Sequence, residues 1–136
     1  MLISTKGRYA LRMMTDLAEH GKEGPVSLAS IASRQEISLK YLERIMPLLT
    51  RAGLVVGASG KGGGYRLTRK PSEYSAGEIL RVTEGTLAPV ACLECESNTC
   101  PRHDRCRTLP VWTKLEERMN EYLDGVNLED IISGQI

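Results

Sequence analysis

The chain contains no phenylalanine and only one tryptophan, Trp112, so its core has to be built from Leu, Ile, Val, Met and Ala. It has no run of 18 apolar residues, which excludes a membrane-spanning helix and points to a soluble protein with no membrane partner. No paired acid and base, no nucleophile beside a base and no open metal site is legible, so an enzyme is not expected. The glycine-rich stretch 57–64 is followed by neither a Gly-Lys-Ser/Thr element nor a helix, which excludes a phosphate-cradling nucleotide loop. The start, Met1-Leu2-Ile3-Ser4-Thr5-Lys6, lacks a signal-peptide pattern, so a cytoplasmic location with reduced thiols is expected. Cysteine is absent everywhere except between positions 92 and 106.

What is present is divided unevenly. The formal net charge is only +1, yet residues 1–70 hold 12 Lys/Arg against 5 Asp/Glu, a net +7, and residues 71–136 hold 6 against 12, a net −6. A basic half joined to an acidic half predicts that one end meets a polyanion while the other does not.

Helical periodicity and caps resolve the basic half. Ser4 or Thr5 opens a first helix whose apolar residues Tyr9, Leu11, Met13, Met14, Leu17 and Ala18 run to His20-Gly21. Lys6, Arg8 and Arg12 crowd its first two turns, the unfavourable end of the helix dipole for cations, and a phosphate near Lys6 or Arg8 would relieve that. Ser27 caps a short helix, residues 33–37 turn, and Ser38 caps a second one running to Ala52-Gly53 through Pro47, which removes a backbone hydrogen bond and is expected to kink the last turns. Two capped helices with a tight joint read as a helix-turn-helix, with Ser38, Lys40, Tyr41 and Arg44 at the end that meets base edges. Leu54-Val55-Val56, the tip 57–64 and Tyr65-Arg66-Leu67 then read as a hairpin wing, with Lys61, Arg66, Arg69 and Lys70 to neutralise a sugar-phosphate wall.

The acidic half begins with a helix over Ala76 to Glu84, where Ser75-x-x-Glu78 forms a capping box. A long amphipathic helix is expected from Leu109-Pro110 to Leu123, ended by Asp124-Gly125, and a short one from Leu128 to Ser133, capped by Asn127. The apolar face Trp112, Leu115, Met119 and Tyr122 has little monomer core left to cover it, so the long helix reads as a dimer helix.

Between these helices lies Cys-Leu-Glu-Cys-Glu-Ser-Asn-Thr-Cys-Pro-Arg-His-Asp-Arg-Cys, residues 92–106. Two disulfides fit the count but not the expected compartment. Structural zinc on Cys92, Cys95, Cys100 and Cys106 is possible, although only the first two have the usual short spacing. An iron-sulfur cluster also takes soft thiolates and tolerates irregular spacing on an open loop. Spacing alone does not separate zinc from iron-sulfur.

The segments Ser4-Thr5-Lys6-Gly7-Arg8-Tyr9-Ala10, Ile37-Ser38-Leu39-Lys40-Tyr41-Leu42-Glu43, Ala52-Gly53-Leu54-Val55 and Gly62-Gly63-Gly64-Tyr65-Arg66-Leu67, with the cysteine loop and Val111-Trp112, resemble the Rrf2 family of bacterial winged-helix repressors. Within it the likeness is to the iron-sulfur cluster regulators and their nitric-oxide- and iron-responsive relatives, and it spans essentially the whole chain. The resemblance implies a homodimer through the long helix, recognition helices in successive major grooves of a double-stranded operator, and wings in the flanking minor grooves. It places Ser38, Lys40, Tyr41, Glu43 and Arg44 where such proteins read bases or phosphates, and Glu43 has the chemistry to accept from a cytosine amino group. Ser59 stands where cluster-biogenesis regulators carry Arg, and Lys61 takes over part of that minor-groove contact.

Cys92, Cys100 and Cys106 match the family's three-cysteine pattern. Its 2Fe-2S members use a histidine where this chain has Leu109, and its nitric-oxide sensors use an acidic residue where this chain has Arg8. Cys95 is then the preferred fourth ligand and His103 the second choice, which leans the expectation to 4Fe-4S over 2Fe-2S. The expected fold is mainly α with a small β-hairpin wing: a winged helix-turn-helix domain over 1–85, a cluster loop over 86–107, and a dimerisation helix with a C-terminal helix over 108–136. The expected function is cluster-controlled transcriptional regulation. The same dimer with zinc or redox thiols, or a small iron-sulfur carrier, are the alternatives.

Overall fold

A computed structural model describes residues 3–94 and 100–136. Among these residues six α-helices and one hairpin follow in the order α1 (Thr5–His20), α2 (Leu28–Gln35), α3 (Leu39–Arg51), β1 (Val55–Ala58), β2 (Gly64–Leu67), α4 (Ala76–Glu84), α5 (Leu109–Gly125) and α6 (Leu128–Ser133). The fold is mainly α with a β-hairpin wing, as the periodicity predicts. Five helices begin at a polar residue whose side-chain oxygen accepts a backbone N–H of the first turn: Ser4 from Gly7, Ser27 from Ser30, Ser38 from Tyr41, Ser75 from Glu78 and Asn127 from Asp130. Each cap satisfies a donor that the helix itself leaves unpaired, which is why these starts are legible in the sequence.

The helices close around one apolar core. Met13, Met14 and Leu17 of α1 pack with Ile31 of α2, with Leu42, Ile45, Met46 and Leu49 of α3, and with Ile79 and Leu128. These positions recur three and four residues apart, so each helix turns one stripe inward and leaves its charged face in water. α6 packs on α1, and Leu128 is fully buried. Residues 108–136 thus split in their packing: α6 returns to the winged-helix body, while α5 packs chiefly on α4 and buries none of its own residues.

The hairpin is antiparallel, with Val56 opposite Arg66 and Ala58 opposite Gly64. It carries a further rung, on its other edge, not foreseen from the sequence. Val26, in the α1–α2 loop, exchanges two backbone hydrogen bonds with Tyr65, each 2.8 Å. At Gly64 an added Cβ would lie 2.5 Å from the Val26 carbonyl carbon and oxygen, both backbone atoms that cannot swing aside. Gly64→Ala is therefore expected to break this rung and destabilise the protein by on the order of 2 kcal/mol. Thermal unfolding measures the loss, and the amide exchange of Tyr65 locates it.

Several local expectations are corrected. α2 continues through Gln35, and the turn into α3 is made by Glu36 in the left-handed region at φ 55°. Gly57, Ala58 and Gly64 belong to the strands, so the wing tip is shorter than 57–64. α5 continues through Asp124 and Gly125, whereas α3 contains Pro47 as expected. The capping box at Ser75 is half formed: Ser75 caps, but the Glu78 carboxylate accepts from Arg69 at 2.6 Å.

Candidate nucleic-acid interface and cysteine loop

α3 presents Lys40, Glu43 and Arg44 to solvent on neighbouring turns, with exposed Arg51 further along. The Ser38 hydroxyl accepts from the Tyr41 N–H at 3.1 Å, so its hydrogen remains to donate outward. Tyr41 is half-buried, its ring packed edge-on against Tyr9 of α1 with centroids 5.5 Å apart. Arg12 lies over the other member of that pair, 5.4 Å from the Tyr9 ring, and donates to both the side chain and the backbone of Gln35. The exposed end of α3 is thus held through the Tyr41 ring against Tyr9 of α1, while Arg12 ties α1 to the end of α2.

Lys6 and Arg8 are exposed on the first turn of α1. Part of the anion that this helix end demands is supplied from within: the Glu84 carboxylate accepts from the Ser4 backbone N–H at 3.0 Å and from its hydroxyl at 2.5 Å. Gly7 is the residue that lets Glu84 come so close, because a Cβ there would run into the carboxylate. On the wing, Ser59 and Lys61 are exposed at the tip, where Gly60 and Gly62 take positive φ on either side of Lys61. Arg66 and Lys70 are also exposed. Arg69, also exposed, pairs with Glu78, donates to the Glu73 carbonyl at 2.9 Å and stacks 4.3 Å from the Tyr74 ring.

Two buried polar constellations hold this surface in place, and neither is legible from periodicity. Asp16, 1% exposed, accepts from Arg34 Nη2 at 2.6 Å, Arg34 Nε at 3.0 Å and Gln35 Nε2 at 2.9 Å. Burial pushes its carboxyl up, but the bonds from Arg34 and Gln35 and the guanidinium charge outweigh that and hold it below the ordinary value. Tyr74, fully buried, donates its hydroxyl hydrogen to the Leu54 carbonyl at 2.8 Å and accepts from the N–H groups of Thr68 and Arg69 at 2.8 and 2.9 Å. Its own carbonyl accepts from Leu128 at 3.1 Å, tying the base of the wing to α6.

These pieces form one arrangement: a helix pair, a hairpin wing and basic side chains on the same half of the chain. A family model described as an iron-dependent transcriptional regulator, Rrf2, matches residues 3–134. The chain belongs to the Rrf2 family. It is 41% identical to the HTH-type transcriptional regulator IscR of Aliivibrio salmonicida, over 97% of this chain and 77% of that protein. Among solved structures, the global cysteine regulator CymR of B. subtilis superposes with a TM-score of 0.81 at 41% identity, over 98% of this chain and 97% of that one. T. potens IscR gives 0.77 at 38%, over 100% and 89%. This Rrf2 protein is accordingly a DNA-binding transcriptional regulator, not an enzyme, and no helix among its described residues is long and apolar enough to cross a membrane.

The cysteine loop connects the winged-helix body to α5. Cys92, Cys100 and Cys106 are present as thiols, half-buried or exposed; Cys95 lies outside the described residues. Among the described residues no group of three His, Cys, Asp or Glu side chains is gathered as a metal site. The donor chemistry nonetheless fits a thiophilic centre. Cys106 lies 3.4 Å from the Thr108 hydroxyl, and that hydroxyl, with the backbone N–H groups of Thr108 and Leu109, holds its thiol below the ordinary value, toward the thiolate that binds metal. His103 is exposed, 3.2 Å from the Asp104 carboxylate. Beyond the loop, α5 shows Val111 (58% exposed), Leu115 (42%) and Tyr122 (58%), at i, i+4 and i+11 along one stripe.

Proposed function

We propose that the protein acts as a cytoplasmic homodimer that represses the genes it binds, its hold on a double-stranded operator set by an iron-sulfur cluster on the Cys92–Cys106 loop. The observation that carries this reading is where the thiols lie: on the segment joining the DNA-binding body to α5, the helix whose apolar stripe is left open. The stripe fits a second copy of α5, and the loop is then the part whose ligation state alters how two bodies are spaced. Cys92, Cys100 and Cys106 hold the cluster, with Cys95 as fourth ligand ahead of His103; an all-cysteine shell leans to 4Fe-4S. The cluster supplies, when bound, a crosslink that iron supply and oxidants remove. In this reading the chain divides at 85 and 107, with α6 serving the body.

On the DNA side, Lys40, Arg44, Lys6, Arg8 and Lys61 contact phosphates or base edges, Ser38 and Tyr41 fix the approach of α3, and Ser59 meets the minor-groove wall. Glu43 filters sequence by accepting from cytosine. Glu43→Ala is expected to erase about 1–3 kcal/mol of discrimination at one operator base pair. Binding to DNA of random sequence should strengthen, because a negative charge leaves the face. A series of single-base-pair operator variants checks both.

The deciding experiment is anaerobic purification followed by visible absorption, iron and sulfide assay, and operator titration with and without the cluster. Charge-transfer bands with matched iron and sulfide, lost in the Cys92→Ser/Cys106→Ser variant, are expected, with at least a tenfold difference in operator affinity, roughly 1.4 kcal/mol, between the two forms. Equal affinities would sink cluster control. A second reading, that the thiols themselves are the sensor, is favoured by the lowered Cys106 thiol and by the likeness to a cysteine regulator. It predicts a colourless protein whose operator binding follows thiol oxidation, and zinc would instead appear in metal analysis.

A further inference from the structure

α5 is joined to the body by a small, specific contact. Arg81 of α4 donates from Nη1 to Asp124 Oδ1 at 2.6 Å and from Nη2 to Asp124 Oδ2 at 3.2 Å and Asn120 Oδ1 at 2.8 Å. Both fork nitrogens are engaged with acceptors one turn apart on α5, which fixes an angle as well as a distance. The backbone is shaped for this clasp. Gly77 is buried one turn before Arg81, and a Cβ there would run into Asp124 Oδ1 and lie 2.9 Å from Arg81 Nη1.

The helix carrying the clasp is itself firmly placed. Ile79 and Leu80 are buried, Glu78 pairs with Arg69 at the base of the wing, and Glu84 caps the start of α1. Three charged side chains of one nine-residue helix therefore connect the wing, α1 and α5. No α5 residue is fully buried, and its apolar contact with the body is confined to half-buried side chains such as Met119 and Leu123, so the clasp is a polar addition to a partial seam.

We infer that the Arg81 clasp on Asp124 and Asn120 is a positioning device for operator recognition, setting the angle between α5 and the reading head and thereby the spacing of the two half-sites that a dimer accepts. This rests on the homodimer reading above. Arg81 touches no DNA in this account and acts through the pose of α5. The charge partners are both partly exposed, so the clasp governs orientation far more than folding.

The test uses the full chain and a palindromic duplex selected on the wild-type protein from a random library, with a single half-site duplex and duplexes whose half-sites are moved by one or two base pairs. Arg81→Ala is expected to weaken palindrome binding about tenfold while leaving half-site binding within about twofold, and to flatten the dependence on spacing. Arg81→Lys keeps the charge and loses the fork, so its spacing dependence should be nearly as flat. Arg81→Asp combined with Asp124→Arg should recover part of the wild-type preference. Equal losses on palindrome and half-site, or no loss on either, would overturn the inference. Should Arg81→Ala fail to fold, Asp124→Asn, which keeps the side chain's shape, carries the same comparison. Sedimentation separates the two levels of the argument: a wild-type protein that is monomeric on DNA, or that binds the palindrome no more tightly than one half-site, removes the homodimer reading and this inference together. A dimer with unchanged spacing preference in every clasp variant removes the inference alone.

Discussion

Arg34→Ala should cost about 3–5 kcal/mol of folding free energy, and more than Asp16→Ala, although the two substitutions break the same ion pair. The asymmetry follows from where each charge sits. The Asp16 side chain is fully buried, whereas that of Arg34 is about one-third exposed. Losing Arg34 strands a carboxylate in the core with the Gln35 amide still donating to it, while losing Asp16 leaves a guanidinium that turns to solvent. Chemical denaturation of both variants checks the order. The pH dependence should change as well. In the native protein the Asp16 carboxyl is depressed, so its stabilising contribution is complete above the unfolded value of about 3.9 and is lost as pH falls through the lower folded value. Without Arg34 burial dominates, the carboxyl is raised, and acid unfolding should begin at higher pH. Circular dichroism across an acid titration reads the difference directly.

Tyr74→Phe should rank next, at about 2–4 kcal/mol, despite removing a single oxygen. That oxygen satisfies the Leu54 carbonyl and the Thr68 and Arg69 N–H groups, which bracket the hairpin at its base. With it gone, the ends of the wing lose their common anchor while the apolar ring remains in the core. The expected signature is a lowered unfolding midpoint together with weaker operator binding, and the latter should be the larger for duplexes whose minor-groove flanks are intact. A variant equally stable to wild type would show that ordered water replaces the hydroxyl at no cost.

The sequence was most readable where the determinant is local. A serine three residues ahead of the N–H it accepts, as at Ser38 and Ser75, marks a helix start because both partners lie within one turn. The apolar stripe of α3 and the glycines of the wing tip are legible for the same reason. Asp16 with Arg34 and Gln35, Arg81 with Asp124, and Tyr74 with Leu54 join residues 18 to 43 positions apart, and no periodicity encodes such pairs. Arg69 shows the limit of this: composition counts it with the wing cations, and its contacts with Glu78 and the Tyr74 ring are not visible there. The cysteine loop was conspicuous by composition, but thiols at irregular spacing identify a donor set without identifying what it holds.

The burial of Leu128 has a consequence for how the protein is made. Residues near the start of the chain already contain α1, α2, α3 and the wing, yet the core they surround is closed by a side chain synthesised more than forty residues after α4 begins, held by its N–H on the Tyr74 carbonyl. A nascent chain that has emerged only through the wing therefore lacks the plug for its own interior. The winged-helix body is therefore completed only after the cysteine loop and α5 have been translated.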